Sequence, residues 1–245
     1  MTFSVVIPAR FGATRLPGKP LLDIAGKPMI QHTFERAKAS SAEAVYIATD
    51  DERIRAVAEG FGARVCMTAT THRSGTDRIQ EVATQLQLPE SHIVVNVQAD
   101  EPLIPPVVID QVAANLESHP EVGIATLCET ITDAHDIEDP NAVKVVMTEQ
   151  GHALYFSRAT IPWKASASAK NCHRHIGIYA YRVSVLNQYV HWPVSELEIS
   201  EKLEQLRALY NGISIHVAVS SLTIPPGVDT QRDLDNVRAH LAGRN

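Results

Sequence analysis

The sequence predicts an α/β protein with a mostly parallel sheet covered by helices on both faces. Short apolar runs alternate with helical periodicity through the first 130 residues, the pattern of a parallel sheet. The run 93–97 is apolar almost without interruption, as a strand buried on both faces requires. A chain of 245 residues with 44% hydrophobic content can also bury one full core.

Each element follows from a local pattern. Residues 3–7 form a first apolar strand. Ile30, Phe34 and Ala37 then mark one face of a helix that Pro28 can start. Residues 45–48 are a second strand, closed by Thr49-Asp50-Asp51, a good helix N-cap region. Ile54, Val57, Ala58 and Phe61 recur at i, i+3, i+4 and i+7. Residues 63–67 are a third strand, and Ile79, Val82, Ala83 and Leu86 repeat the helical spacing. After the central run at 93–97, a helix is expected over 106–118 and a strand over 122–127.

The rhythm changes after Asp139. Residues 143–147 and 153–156 read as paired strands around Glu149-Gln150-Gly151. Residues 164–170 are small and polar, the composition of a loop. A strand at 176–181, a helix marked by Leu203, Leu206 and Tyr210, a strand at 213–219 and a closing helix marked by Leu234, Val237 and Leu241 complete the chain. The expected organisation is one domain over 1–245, with an inserted strand-rich segment at about 139–182.

Composition removes several classes. A formal net charge of −6 and 5% aromatics do not support nucleic-acid binding. No apolar run reaches the roughly 18 residues of a membrane span, and no secretory signal pattern opens the chain. Cys66, Cys128 and Cys172 are odd in number and far apart, which fits reduced thiols in a cytoplasmic protein.

Against this acidic balance, the first 22 residues hold three cations, Arg10, Arg15 and Lys19, and no acid. A buried strand emptying into a loop of Gly, Pro, Arg and Lys presents cations to a phosphorylated ligand at a sheet edge. The loop is not a Walker A motif. Five residues rather than four separate Gly12 from Gly18-Lys19, and Pro20 stands where Ser or Thr belongs. Nor does the chain contain G-x-G-x-x-G. The plainer reading of the loop is a solvated basic turn.

Asn96-Val97-Gln98-Ala99-Asp100-Glu101-Pro102 runs off the C-terminal end of the central strand. An acid there suits Mg²⁺, which takes one or two carboxylates and completes its shell with phosphate oxygens and water. It suits a helix N-cap equally well. Pro226-Gly227-Val228-Asp229-Thr230 offers a second acid with the same two readings, and alone it reads first as a cap. Ser74-Gly75-Thr76-Asp77-Arg78 either caps a helix or lets backbone amides approach a ligand. His173-Arg174-His175 lacks a Cys or acid at ligand spacing, which counts against zinc. Glu204-Gln205 by itself reads as exposed helix polarity.

The order of these segments is more specific than any one of them. Ile7-Pro8-Ala9-Arg10 followed by Thr14-Arg15-Leu16-Pro17-Gly18-Lys19-Pro20 resembles the signature loop of sugar nucleotidyltransferases. Four further segments extend the likeness: residues 153–159, His175-Ile176-Gly177-Ile178-Tyr179, Leu203-Glu204-Gln205-Leu206-Arg207 and Gly227-Val228-Asp229-Thr230. With the segments at 74–78 and 96–102, the set resembles the 3-deoxy-manno-octulosonate cytidylyltransferases, or CMP-Kdo synthetases, over nearly the whole chain. Two positions depart from the family pattern: Ala99 and Ala180 stand where Gly is usual. A required positive φ at either one would make the methyl costly.

The resemblance implies a Rossmann-like three-layer sandwich of the nucleotide-diphospho-sugar transferase type with a small inserted β-containing subdomain. It implies transfer of CMP from CTP to 3-deoxy-D-manno-octulosonate (Kdo) with release of pyrophosphate, to supply lipopolysaccharide or capsule synthesis. Arg10, Lys19 and Asp100 would carry the chemistry. Arg10, Arg15, Lys19, Ser74, Gly75 and Arg78 would bind the nucleotide. Gln98, Arg158, His175, Tyr179, Glu204 and Gln205 would hold the sugar, and Asp100 and Asp229 the Mg²⁺. It further implies a cytoplasmic homodimer with a contact in 139–182. The rival readings are a nucleotidyltransferase for another 2-keto sugar acid, such as an 8-amino Kdo or sialic acid, and a non-catalytic nucleotide-binding regulatory module.

Overall fold

A computed structural model describes residues 2–12, 16–72, 74–163 and 172–243. The chain opens with β1 (Phe3–Ala9), whose seven residues are all buried. A 3-10 turn (Lys19–Leu21) and a hairpin of β2 (Asp23–Ile24) and β3 (Lys27–Pro28) lead into α1 (Met29–Lys38). Strand and helix then alternate: β4 (Ala44–Thr49), α2 (Glu52–Gly60), β5 (Arg64–Met67), α3 (Gly75–Gln85), β6 (Ile93–Asn96), α4 (Pro106–Glu117) and β7 (Ile124–Thr130). A short α5 (Ala134–Glu138) precedes the hairpin of β8 (Lys144–Met147) and β9 (Ala153–Ser157) and the long β10 (His173–Arg182). The chain ends with α6 (Val183–Tyr189), α7 (Glu196–Glu201), α8 (Gln205–Tyr210), β11 (Ile215–Val219) and α9 (Gln231–Ala242).

The central sheet has the order β11-β7-β10-β6-β1-β4-β5. Every neighbouring pair on this path is parallel except the two that involve β10, which runs antiparallel to both β6 and β7. The segment 139–182 divides accordingly. Its hairpin branches off the first residues of β10, while the rest of β10 lies in the middle of the main sheet.

Alternation along the strands separates the core into two layers, as period-two side chains require. Val5 and Ile7 of β1 join Ile30 and Phe34 of α1, Ile54 of α2 and Ile109 of α4 on one face. Val6 joins Ile79 and Val82 of α3, Leu186 of α6 and Leu206 of α8 on the other. Each fully buried Ile, Val or Leu contributes about 1.5–3 kcal/mol. The fold is therefore α/β with a mostly parallel sheet between two helical layers. Among the described residues no helix is long and apolar enough to cross a membrane.

Helix starts follow the cap chemistry. Asp51 caps α2. Ser74 and Thr230 form capping boxes with Asp77 and Asp233 at the starts of α3 and α9, each worth about 1 kcal/mol. The periodic pattern at 203–210 shifts by one turn: Leu203 is buried ahead of α8 and Tyr210 is exposed. Helices α5, α6 and α7 have five to seven residues each. Runs that short show too little periodicity to be read from sequence.

A satellite cluster positions the C-terminus. Val228, Leu234 and Val237 pack on Ile24 and Met29. Arg238 Nη2 donates to the Asp23 carbonyl at 2.8 Å. This places the segment before α9 beside the turn that carries Lys19.

Candidate active site

Strands β1 and β6 deliver their following loops to the same edge of the sheet. Arg10 comes directly after β1, and the chain turns back so that the Gly18 amide donates to the Phe11 carbonyl at 3.0 Å. Gly18 has φ +67°, and a Cβ there would come within 3.1 Å of the Phe11 ring. Only glycine fills this position without strain, and it aims the next residue, Lys19, into the site.

Lys19 Nζ donates to Asp100 Oδ2 at 2.5 Å and to Asp229 Oδ1 at 3.0 Å. The two acids are 129 positions apart in sequence (229 minus 100). They meet because the Val228 amide donates to the Asp100 carbonyl at 2.9 Å. Gly227 permits this approach, since a Cβ there would lie 3.3 Å from the same carbonyl oxygen. Burial works against the Lys19 ammonium, but Asp100 first and Asp229 second outweigh it and raise its pKa.

Two hollows meet here. The smaller, about 180 Å³, is lined by Arg10, Lys19, Ala99 and Asp100. The larger, about 620 Å³, is lined by Gly75, Arg78, Arg158, His175, Tyr179, Glu204 and Gln205. Pro8, Arg10 and Gln98 line both, so the hollows are contiguous. Arg15 and the loop 164–170 lie outside the described residues.

Three expected ligand contacts are already committed elsewhere. Ser74 Oγ accepts from the Asp77 amide as a helix cap. Arg78 is fully buried and donates to Thr68 Oγ1 and, at 2.9 Å, to Asp50 Oδ2. These bonds tie α3 to the ends of β4 and β5. Arg158 donates through Nε to the Glu201 carbonyl at 2.8 Å and through Nη1 to the Pro140 carbonyl at 2.9 Å. Arg78 and Arg158 thus bond to the protein through these nitrogens while also lining the larger cavity, and Arg78 Nε is buried without a hydrogen-bond partner.

The His175, Tyr179 and Tyr181 side chains of the far wall are uncharged. Burial drives the His175 pKa down to about 3, and its ring stands edge-on to Phe156 and tilted to Tyr179, at 5.0 and 5.3 Å. Burial likewise raises the pKa values of Tyr179 and Tyr181. The crowding of protein around the Glu204 carboxyl raises its pKa too. Gln205 Nε2 is buried without a hydrogen-bond partner, an orphan donor that a bound polar ligand can satisfy. Thr76, Tyr181, Tyr189 and Lys202 also line the cavity, and no motif pointed to the last three. Lys202 has φ +54° at the end of α7, an uncommon conformation for a side-chain-bearing residue.

Behind Glu204 a buried ion pair braces the wall. Arg207 donates to Glu198 through Nε at 2.7 Å and Nη2 at 2.6 Å, linking α8 to α7. Neither Ala99 nor Ala180 has a positive φ. Their methyl groups are thus accommodated by ordinary strand and turn backbone.

The residues present fit a hard divalent cation. Asp100 and Asp229 converge on one positive group, Lys19, and two carboxylates are the number Mg²⁺ takes when phosphate and water complete its shell.

Known proteins resemble this chain over nearly its whole length. Residues 4–215 match the cytidylyltransferase family. The 3-deoxy-manno-octulosonate cytidylyltransferase of Saccharophagus degradans is 56% identical over 98% of this chain and 99% of its own length. That of Hahella chejuensis is 55% identical over 98% of both. A solved CMP:2-keto-3-deoxy-manno-octonic acid synthetase complexed with CTP superposes with a TM-score of 0.92 at 43% identity, covering 100% of this chain and 99% of that one. A 4-diphosphocytidyl-2C-methyl-D-erythritol synthase shares the fold alone, with a TM-score of 0.65 at 12% identity over 98% and 100% of the two chains.

Proposed function

The chain belongs to the cytidylyltransferase family, among the 3-deoxy-manno-octulosonate cytidylyltransferases, and from that premise we infer how its residues divide the work. It transfers CMP from CTP to the anomeric hydroxyl of Kdo and releases pyrophosphate. In this reaction a sugar oxygen attacks the α-phosphorus in line while pyrophosphate leaves, so catalysis rests on positioning and charge neutralisation.

Arg10 and Lys19 hold the triphosphate and stabilise charge on the departing pyrophosphate, and Arg15, outside the described residues, is proposed to bind the same group. Charge-assisted bonds of this type are worth about 1.5–3 kcal/mol each. Asp100 and Asp229 would hold Mg²⁺. When bound, the ion would supply Lewis-acid chemistry, neutralising phosphate charge and making the attacking sugar hydroxyl more acidic. The backbone around Gly75 faces the nucleotide. Gln98, His175, Tyr179, Glu204 and Gln205, which line the larger cavity, hold the sugar.

One observation carries this reading: Asp100 and Asp229 meet on Lys19 at a hollow that opens into the larger cavity. Pyrophosphate release should require CTP, Kdo and Mg²⁺, each omitted in turn. Undiminished release without the metal would remove its assignment.

The enzyme is further proposed to work in the cytoplasm, supplying CMP-Kdo for lipopolysaccharide or capsule synthesis, and to form a homodimer through 139–182. The dimer draws support from β9, which pairs with β8 alone among the described residues. Leu154 on that strand is 61% exposed and Trp163 after it 87%. A free strand edge with exposed apolar side chains is usually covered by a partner. Sedimentation equilibrium giving a mass of 26.8 kDa, that of one chain, would contradict the dimer.

A further inference from the structure

Strand β10 pairs with β7 from His173 to Ile176 and again from Tyr179, and the register shifts between them. Gly177 and Ile178 bulge out of the ladder, and carbonyls at such a bulge lack regular sheet donors. Thr126, fully buried on β7, faces this gap. Its Oγ1 lies 3.1 Å from the Ile176 carbonyl oxygen and 2.7 Å from that of Ile178. The same Oγ1 lies 3.1 Å from His175 Nε2.

A hydroxyl has one proton to donate, and a carbonyl oxygen can only accept. The Thr126 proton therefore goes to the nearer carbonyl, that of Ile178. Only lone pairs of Oγ1 remain for the imidazole, so Nε2 must carry a hydrogen and donate it. In a neutral ring that leaves Nδ1 bare, an acceptor. The ring is neutral because it is buried among apolar and aromatic groups.

We propose that Thr126 is a positioning residue that holds His175 as a hydrogen-bond acceptor, so that this wall of the cavity selects a sugar presenting a hydroxyl. An anionic group or a bare acceptor at the same place would face a lone pair and be disfavoured. The proposal rests on the reading of His175 as a sugar contact, and it gives that contact a direction. It also assigns the sugar's carboxylate to some group other than His175.

The test uses the full-length enzyme labelled with ¹⁵N-histidine, with the His175 signal assigned by its loss in His175→Ala. The expected spectrum has Nε2 protonated and Nδ1 bare at neutral pH. In Thr126→Val the single tautomer should give way to a mixture. KM for Kdo should rise about tenfold, the loss of one hydrogen bond, while KM for CTP stays within about twofold. Thr126→Ser should restore both the tautomer and the KM for Kdo. A wild-type spectrum with the proton on Nδ1, an unchanged tautomer in Thr126→Val, or failure of serine to restore KM overturns the proposal. If Thr126→Val does not fold, the wild-type spectrum decides. An expected tautomer combined with an unchanged KM for Kdo in His175→Ala defeats the sugar-side reading itself. The wrong tautomer with a raised KM in His175→Ala defeats only the role of Thr126.

Discussion

At the loop end of the cavity, Lys19 lies between Asp100 and Asp229, and charge is handled by opposing charge. At the far end, His175, Tyr179 and Tyr181 are kept uncharged by burial, and polarity is handled by hydrogen-bond direction. The loop end is built from turns, so its groups can rearrange when a triphosphate arrives. The far end is built on β10 and the start of α8, where backbone pairing and the Glu198–Arg207 brace hold the side chains. A polyanion that gains charge as it departs needs the first kind of site. Sugar hydroxyls that must be told from those of an isomer need the second.

The largest test of this contrast is Asp100→Asn, which keeps the shape and removes the charge. Turnover at fixed Mg²⁺ should fall by about a hundredfold or more, with an unchanged circular dichroism spectrum. Near-normal turnover would mean that charge at the loop end is not what the reaction uses. Lys19→Ala should lower kcat by roughly tenfold to a hundredfold, equivalent to one charge-assisted bond, and change the KM for Kdo little. A loss confined to the KM for Kdo would erase the division between the two ends.

At the far end the same kind of truncation should act on stability. Glu198→Ala strands the Arg207 guanidinium in a buried site and should cost about 3 kcal/mol, seen as a lower urea midpoint. If stability is unchanged, the wall does not depend on this pair.

Acid should also separate the ends. The folded His175 pKa, about 3, lies below its ordinary value of 6.5, so between these values the unfolded chain binds the extra proton. Stability from this group is present at neutral pH and is lost as pH falls from about 6.5 towards 3. His175→Gln should flatten that acid limb by about 1 kcal/mol at pH 5, discounted for partial exposure. An unaltered limb would place the titration elsewhere. The smallest effect belongs to Ala99→Gly. With no positive φ to relieve, it should change stability by less than about 1 kcal/mol and leave turnover intact.

The two ends also differed in how far they could be read. Arg10 and Lys19 stand out by charge in a Gly- and Pro-rich turn after a strand, whereas Asp100 suits a cap as well as a ligand and Asp229 alone reads first as a cap. Tyr181, Tyr189 and Lys202 carry no such signal, because an isolated aromatic or lysine on an element reads as ordinary packing or surface. Arg78 shows the converse. Its motif suggested a ligand contact, yet Asp50 and Thr68 hold its terminal nitrogens. That partnership joins segments 10 and 28 residues away, and a linear pattern does not encode it.

Sequence alone determined the alternating strands and helices of the first 130 residues, their caps, and the cationic loop, because these follow from periodicity and local backbone chemistry. It also carried the family likeness through the order of its motifs. Tertiary structure alone decided that β10 enters the sheet antiparallel between β6 and β7, with its bulge opposite Thr126. It alone decided that Gly227 brings Asp229 to Asp100. Both depend on contacts between residues far apart in the chain, where packing rather than local preference sets the outcome.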